Sequence, residues 1–186
     1  PSIANVDSYQ FRSDGRFQTD RQAQLDAIHH ICATSHAPGN DEFVRLAALE
    51  ALDSATLLQQ VVGRYEEAIT YPSNPFAEGL KLIAKVIAAD VGTRVFYISL
   101  GGFDTHSDQW PTQAGLFSQL NGAMAAFYQA TKELGVASNV TTFTLSEFSR
   151  TFQPGSNQGT DHAWGGHQLM MGGAVKGNAL YGQFPT

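Results

Sequence analysis

Several residue types and patterns are scarce in this chain, and each scarcity excludes a class of protein. Cys32 is the single cysteine among 186 residues, so the chain cannot form an internal disulfide. The 11 basic residues are outnumbered by 17 acidic ones and lie scattered along the chain, whereas a nucleic-acid-binding surface needs clustered basic residues. No apolar run approaches the roughly 20 residues that a membrane-spanning helix requires. We therefore expect no nucleic-acid partner and no membrane span.

The composition that remains is that of a globular chain with a core. Hydrophobic residues make up 42% of it, which is ordinary for a soluble domain, and the length suits one domain or a large piece of one. Between about residues 19 and 92, apolar side chains recur at helical spacing. Between about residues 93 and 186, the sequence contains strand-like runs and glycine-rich loops. This division predicts a helical part followed by a part that carries strands.

Apolar periodicity predicts the individual elements. Side chains that recur at steps of three and four indicate helices, and β-branched or aromatic runs between glycines indicate strands. The predicted helices lie at about 20–32, 41–62, 80–87 and 116–134, and the predicted strands at 95–100, 140–145 and 167–171. Gly135 is a suitable C-terminal cap for the last of these helices.

The order strand, helix, strand between residues 93 and 148 is that of a βαβ unit. Such a unit has a right-handed connection and parallel strands, and ligands of parallel sheets bind beyond the carboxyl ends of the strands. Acidic and histidine side chains fall there in three segments: 101–106 (Gly-Gly-Phe-Asp-Thr-His), 146–150 (Ser-Glu-Phe-Ser-Arg), and 159–162 (Gly-Thr-Asp-His) followed by His167. Carboxylates and imidazoles are donor groups for divalent cations. We therefore expect a functional site within residues 101–167.

The first and third segments hold the candidate metal ligands. Asp104 and His106 are two residues apart and point to the same side of an extended backbone, so both can reach one cation. The alternative is an aspartate that caps the following turn and a histidine that donates to it. Asp161 and His162 can serve two metals, or one can be a ligand that the other supports. His167 adds a third imidazole, unless it is only the first residue of a strand.

The second segment places a carboxylate and a guanidinium after a predicted strand. Glu147 ends an otherwise apolar strand, and we expect it to be a metal ligand, a base or the partner of Arg150. Arg150 can orient an anionic substrate through two parallel hydrogen bonds, or the pair forms a structural salt bridge. A metal-free esterase that uses Ser146 and His162 is the weakest interpretation, because Ser146 lies outside a Gly-x-Ser-x-Gly elbow.

Four stretches together carry a resemblance to a known family. They are residues 94–106 (Arg-Val-Phe-Tyr-Ile-Ser-Leu-Gly-Gly-Phe-Asp-Thr-His), 146–150, 159–162 and 172–177 (Gly-Gly-Ala-Val-Lys-Gly). The chain from about residue 41 to Pro185 resembles the DUF1501 family, a bacterial family of unknown function. That family is grouped with the alkaline phosphatase and sulfatase superfamily. Its members often look like exported proteins, so the resemblance implies a periplasmic or secreted location.

The resemblance also implies a fold and a reaction. The fold would be an α/β, alkaline-phosphatase-like three-layer sandwich with a mainly parallel sheet, and the reaction hydrolysis of phosphate or sulfate esters. The substrate would be an anionic small molecule or a carbohydrate ester, and the cofactor a divalent metal such as zinc, manganese or calcium. Carried over by motif position, the implied metal ligands are Asp104, His106, Asp161, His162 and His167. Glu147 would be a ligand or base, and Arg150 would steady the anionic group.

The sequence departs from the family pattern in ways that affect these expectations. The Asp-x-x-x-His spacing of the superfamily is Asp-x-His here, and Ser149 stands where the family has glycine. An N-terminal half with a Gly-Gly-x-Asp-Gly-like segment is missing, so we expect a C-terminal fragment whose other half is a second chain or was removed. The alternative to a hydrolase is a non-catalytic binding or assembly module, whose helices at 41–92 form the binding surface.

Overall fold

The computed structural model describes residues 18–34, 39–62, 65–66, 68–163 and 165–183. The chain divides into two compact units, Pro1–Glu66 with Ala89–Val91 and Glu67–Ala88 with Gly92–Thr186. The second unit contains the third helix, which the sequence pattern had grouped with the preceding helical part. It also contains all the candidate site residues. None of the described helices is long and apolar enough to cross a membrane.

The described part of the first unit contains two helices, α1 (Gln18–Thr34) and α2 (Asn40–Val62), and both confirm the predicted positions. Arg45 links them, because it donates to the carbonyl oxygen of Cys32 at 2.5 Å and to both carboxylate oxygens of Glu42 at 2.8 and 2.6 Å. Several large apolar side chains of α2 stay in contact with solvent, and Phe43 is 74% exposed. This pair of helices therefore leaves apolar surface uncovered.

The core of the second unit lies between α3 (Pro75–Ala88) and α4 (Gln109–Glu133). Asn74 caps α3, since its side-chain oxygen accepts the Ala77 N–H at 2.9 Å, and the proline that follows needs no partner in the first turn. The buried residues shared by the two helices are Ala77, Leu80, Ala84, Leu120, Ala123, Met124, Phe127 and Ala130. Alanines at four of these positions let the helices approach closely.

Helix α4 confirms one predicted boundary and corrects the other. Gly135 adopts a left-handed conformation with φ 72°, and its N–H donates to the Lys132 carbonyl at 3.0 Å, which is a glycine C-terminal cap. The helix begins at Gln109, earlier than the apolar pattern indicated. Pro111 is compatible with this start because first-turn N–H groups have no intrahelical partner.

Four short strands complete the described part of this unit. Strand β1 (Thr141–Phe143) pairs antiparallel with β4 (Met170–Gly172), and β2 (Ser149–Arg150) pairs antiparallel with β3 (His162–Ala163). Two of the predicted strands are thus present in shortened form. Within the described ranges no strand pair is parallel, so the mainly parallel sandwich stays a prediction.

The segment 95–100, predicted to be a strand, shows the alternating burial of a strand. It pairs with no other strand among the described residues. Residues 96, 98 and 100 are half-buried, whereas residues 95, 97 and 99 are exposed. Ile98 and Leu100 pack against the α3–α4 core, and Ile98 lies so close to Gly79 that a side chain there would overlap it. This segment therefore leads the chain along the core directly to Asp104.

Candidate metal site

Two imidazoles converge on one carboxylate oxygen at the surface of the second unit. Oδ1 of Asp104 lies 2.9 Å from Nε2 of His106 and 2.8 Å from Nε2 of His162. One ligand atom from each residue lies within 4.8 Å of the other two. The three side chains are 48–55% exposed, so the group is open to solvent on one side. We call these three residues the Asp-His-His cluster.

The turn before α4 presents two members of the cluster. Thr105 is buried; its carbonyl accepts the Thr160 N–H at 3.2 Å, and its hydroxyl accepts Nε2–H of Gln113 at 2.9 Å. Because Thr105 points inward, Asp104 and His106 on either side of it point outward together. The structure thus brings this pair into contact, as their spacing indicates.

The third member is placed by the β2–β3 ladder. His162 is paired with Arg150 across this ladder, and the Phe148 ring stacks on the His162 imidazole at 4.1 Å with an interplanar angle of 5°. The stacked ring restricts rotation of the imidazole while Nε2 faces Asp104. Sequence reasoning did not single out Phe148, although it lies in the motif at 146–150.

The loop at 159–160 packs tightly against the turn at 106–107, next to the cluster. Gly159 is buried, and a Cβ atom there would overlap the backbone of His106 and Ser107. The neighbouring Thr160 is also buried and donates from its hydroxyl to Oε1 of Gln109 at 2.6 Å. Glycine is therefore required at position 159 by close backbone approach. Sequence reasoning quoted this residue within a motif but gave it no role.

Arg150 is a structural centre of the site. Its side chain is only 16% exposed; Nη1 donates to the Thr160 carbonyl at 2.5 Å, and Nη2 donates to the Phe103 carbonyl at 2.6 Å and to Oδ1 of Asp104 at 3.1 Å. Within the described residues its ionic partner is Asp104, and no ion pair joins it to Glu147. The guanidinium therefore joins three segments of the chain around the cluster.

The surroundings of Asp104 favour its charged form. The hydrogen bond from His162 is the main cause that lowers the pKa of this carboxyl, and the charges of His106, His162 and Arg150 lower it further. Partial burial acts in the opposite direction and is outweighed. An ionised carboxylate is the form that binds a cation.

The other predicted residues lie around the cluster rather than in it. Oδ1 of Asp161 is 3.0 Å from Nδ1 of His106, on the far edge of that ring from Asp104. Glu147 is exposed and outside the cluster. His167 is also outside it and lines an open cavity of about 330 Å³ together with Arg150, Thr151, Phe152 and Gly165.

The donor set of the cluster fits a borderline divalent cation. One carboxylate and two imidazoles are a common three-ligand set for zinc, which leaves a position for water or substrate, and imidazole with carboxylate also suits manganese or iron. Calcium prefers six to eight oxygen ligands, which this cluster does not supply. Among the predicted metals, zinc and manganese therefore fit better than calcium.

Comparison with models of known protein families identifies the family of this chain. Residues 11–186 match the family described as "Protein of unknown function (DUF1501)", so the chain belongs to that family. No curated protein and no solved structure shows significant similarity to the chain. The relationship to alkaline phosphatases and sulfatases stays a prediction.

Proposed function

We propose that the chain binds one divalent cation, zinc or manganese, through Asp104, His106 and His162, and that it belongs to a metal-dependent hydrolase of phosphate or sulfate esters. The observation that carries the proposal is the convergence of two Nε2 atoms on one oxygen of Asp104, at 2.9 and 2.8 Å. The ester class, the alkaline-phosphatase-like parallel sandwich and a periplasmic or secreted location belong to the proposal through the family resemblance alone.

A bound divalent cation would supply a water of lowered pKa and positive charge for an ester oxyanion. The residues of this chain prepare for that chemistry in three ways. Asp104 contributes negative charge, Phe148 and Arg150 hold the imidazole and the carboxylate in place, and the exposed side of the cluster admits an anionic ester. The cavity beside Arg150 and His167 has room for the rest of a small substrate.

Arg150 has a different role in this proposal from the one its motif implies. Its guanidinium already donates to two carbonyl oxygens and to Asp104. We therefore assign it to positioning Asp104 rather than to gripping the substrate anion. Glu147 remains a candidate base only if a substrate bridges it to the cluster.

Metal titration of the chelator-treated full chain tests the proposal. Calorimetry with zinc or manganese should give one ion per chain, and His106→Ala and His162→Ala should each weaken binding by more than the roughly 10- to 100-fold typical of a supporting residue. His29→Ala is the matched control, because His29 lies on α1 beside Asp53 at 3.6 Å. Absence of binding by the unchanged chain would contradict the proposal.

Hydrolysis then separates the enzyme from the second candidate function. Nitrophenyl phosphate and sulfate should be cleaved only by the metal-loaded chain, and not by His106→Ala. Metal binding without any hydrolysis would instead favour the non-catalytic binding or assembly module, which the exposed apolar side chains of α2, such as Phe43 and Val44, support.

A further inference from the structure

We infer that Asp161 is a positioning residue that orients His106, and not a metal ligand as its motif implies. The inference rests on the proposed metal site and assigns this carboxylate a specific task within it. Asp161 would accept a hydrogen bond from Nδ1–H of His106. This fixes both the rotation of the ring and the nitrogen that carries the proton.

The His106 ring lies between two carboxylates. Its two nitrogens face two different carboxylates, with Nε2 at 2.9 Å from Asp104 and Nδ1 at 3.0 Å from Asp161. Nε2 also lies on the same side as Nε2 of His162, which shares the Asp104 oxygen. A cation held by the cluster therefore meets Nε2, so the ring proton must lie on Nδ1, where Asp161 accepts it.

The backbone of Asp161 is held in place for this task. Its N–H donates to the Thr151 hydroxyl at 3.3 Å, and its carbonyl accepts the Thr151 N–H at 3.0 Å. The preceding carbonyl, of Thr160, is bound by Arg150 at 2.5 Å. The chain is thus fixed on both sides of the Asp161 Cα atom, although the side chain itself is 86% exposed.

The same geometry argues against direct ligation by Asp161. The imidazole of His106 stands between the Asp161 carboxylate and the oxygen of Asp104 around which the cluster is built. To become a ligand, Asp161 would have to leave Nδ1 and swing around the ring. A carboxylate that instead stays on Nδ1 makes Nε2 a better donor and prevents the ring from turning.

Zinc titration of position-161 variants tests the inference in the full chain. Asp161→Asn and Asp161→Ala should still bind one zinc ion, with affinity weakened about 10- to 100-fold, more for alanine because asparagine can still accept a hydrogen bond. Asp161→Glu keeps the carboxylate and should recover part of the loss. Asp108→Asn removes one negative charge from an exposed residue outside the cluster, and should bind like the unchanged chain.

X-ray absorption at the zinc edge distinguishes a residue that positions His106 from a residue that binds the metal. The zinc bound by Asp161→Asn should keep two imidazoles and one carboxylate oxygen from the protein. Loss of an oxygen ligand in that variant, or zinc affinity equal to that of the unchanged chain, overturns the inference alone. Absence of zinc binding by the unchanged chain overturns the proposed function together with this inference.

Discussion

At the scale of single residues, Asp104 is the group on which the site depends. Three cationic or hydrogen-bonding side chains, His106, His162 and Arg150, all lie within 3.1 Å of its Oδ1 atom. The i, i+2 spacing with His106 is visible in the sequence. The contacts with Arg150 and His162 are not, because they join residues 46 and 58 positions apart.

The lowered pKa of Asp104 predicts a specific dependence of stability on pH. The carboxyl has a pKa of about 3.9 in an unfolded chain and a lower one in the folded chain, chiefly because of the hydrogen bond from His162. A lowered folded-state pKa contributes stability above the unfolded value, and this contribution is lost as the pH falls through the folded value. Asp104→Asn should abolish that part of the acid sensitivity.

Urea unfolding in the presence of a chelator, from about pH 5 down to about pH 2, measures this effect through linkage. The difference in unfolding free energy between the unchanged chain and Asp104→Asn should shrink as the pH falls. Asp108→Asn serves as the control for loss of one exposed charge. A difference that stays constant across the range would show that Asp104 is not stabilised by its neighbours.

Gly159 is the second residue on which the site depends, and here the reason is steric. An alanine Cβ would overlap the carbonyl group of His106 and the nitrogen of Ser107, which are backbone atoms that cannot move aside easily. Gly159→Ala should therefore destabilise the fold by about 1–3 kcal/mol and weaken metal binding, because His106 is displaced. Urea unfolding and zinc titration measure the two effects.

Gly101→Ala is the matched control for this substitution. It makes the same change in the segment that leads to Asp104, where no atom lies within 4 Å of an added Cβ. It should leave both stability and metal binding nearly unchanged. Equal behaviour of the two variants would mean that the contact between the loops at 106–107 and 159 does not hold the site together.

At the scale of elements, the helices carry the stability and the short strands carry the geometry. Helices α3 and α4 supply the buried core, and their apolar period over several turns makes them predictable from the sequence. Strands β2 and β3 are two residues long each, which is too short for any period. Yet this ladder is what sets Arg150 opposite His162.

Phe127 on α4 should show the contribution of the core. It is 3% exposed and packs among the alanines and leucines of α3 and α4, so Phe127→Ala should cost about 3–5 kcal/mol of unfolding free energy. Phe117→Ala on the same helix is the control, since that ring is 49% exposed and should cost clearly less. Chemical denaturation compares the two, and equal losses would show that the core lies elsewhere.

At the scale of the whole molecule, family membership rests on a match along most of the chain. The chain belongs to DUF1501 through residues 11–186, as the four motifs indicated. The expected parallel sandwich stays a prediction, because the described strands pair only in two antiparallel ladders. Parallel pairing needs a crossover that returns the chain to the same end of the sheet, whereas β4 runs back along β1.

The helices, the glycine cap at Gly135 and the side-by-side display of Asp104 and His106 are predictable from the sequence, because each depends on neighbours within a few residues. Three contacts are visible only in the folded chain: His162 joins that pair, Arg150 binds Asp104 instead of Glu147, and Asp161 lies at the far edge of the His106 ring. These contacts depend on which distant segments of the chain meet and in what register. Local residue spacing does not specify that pairing.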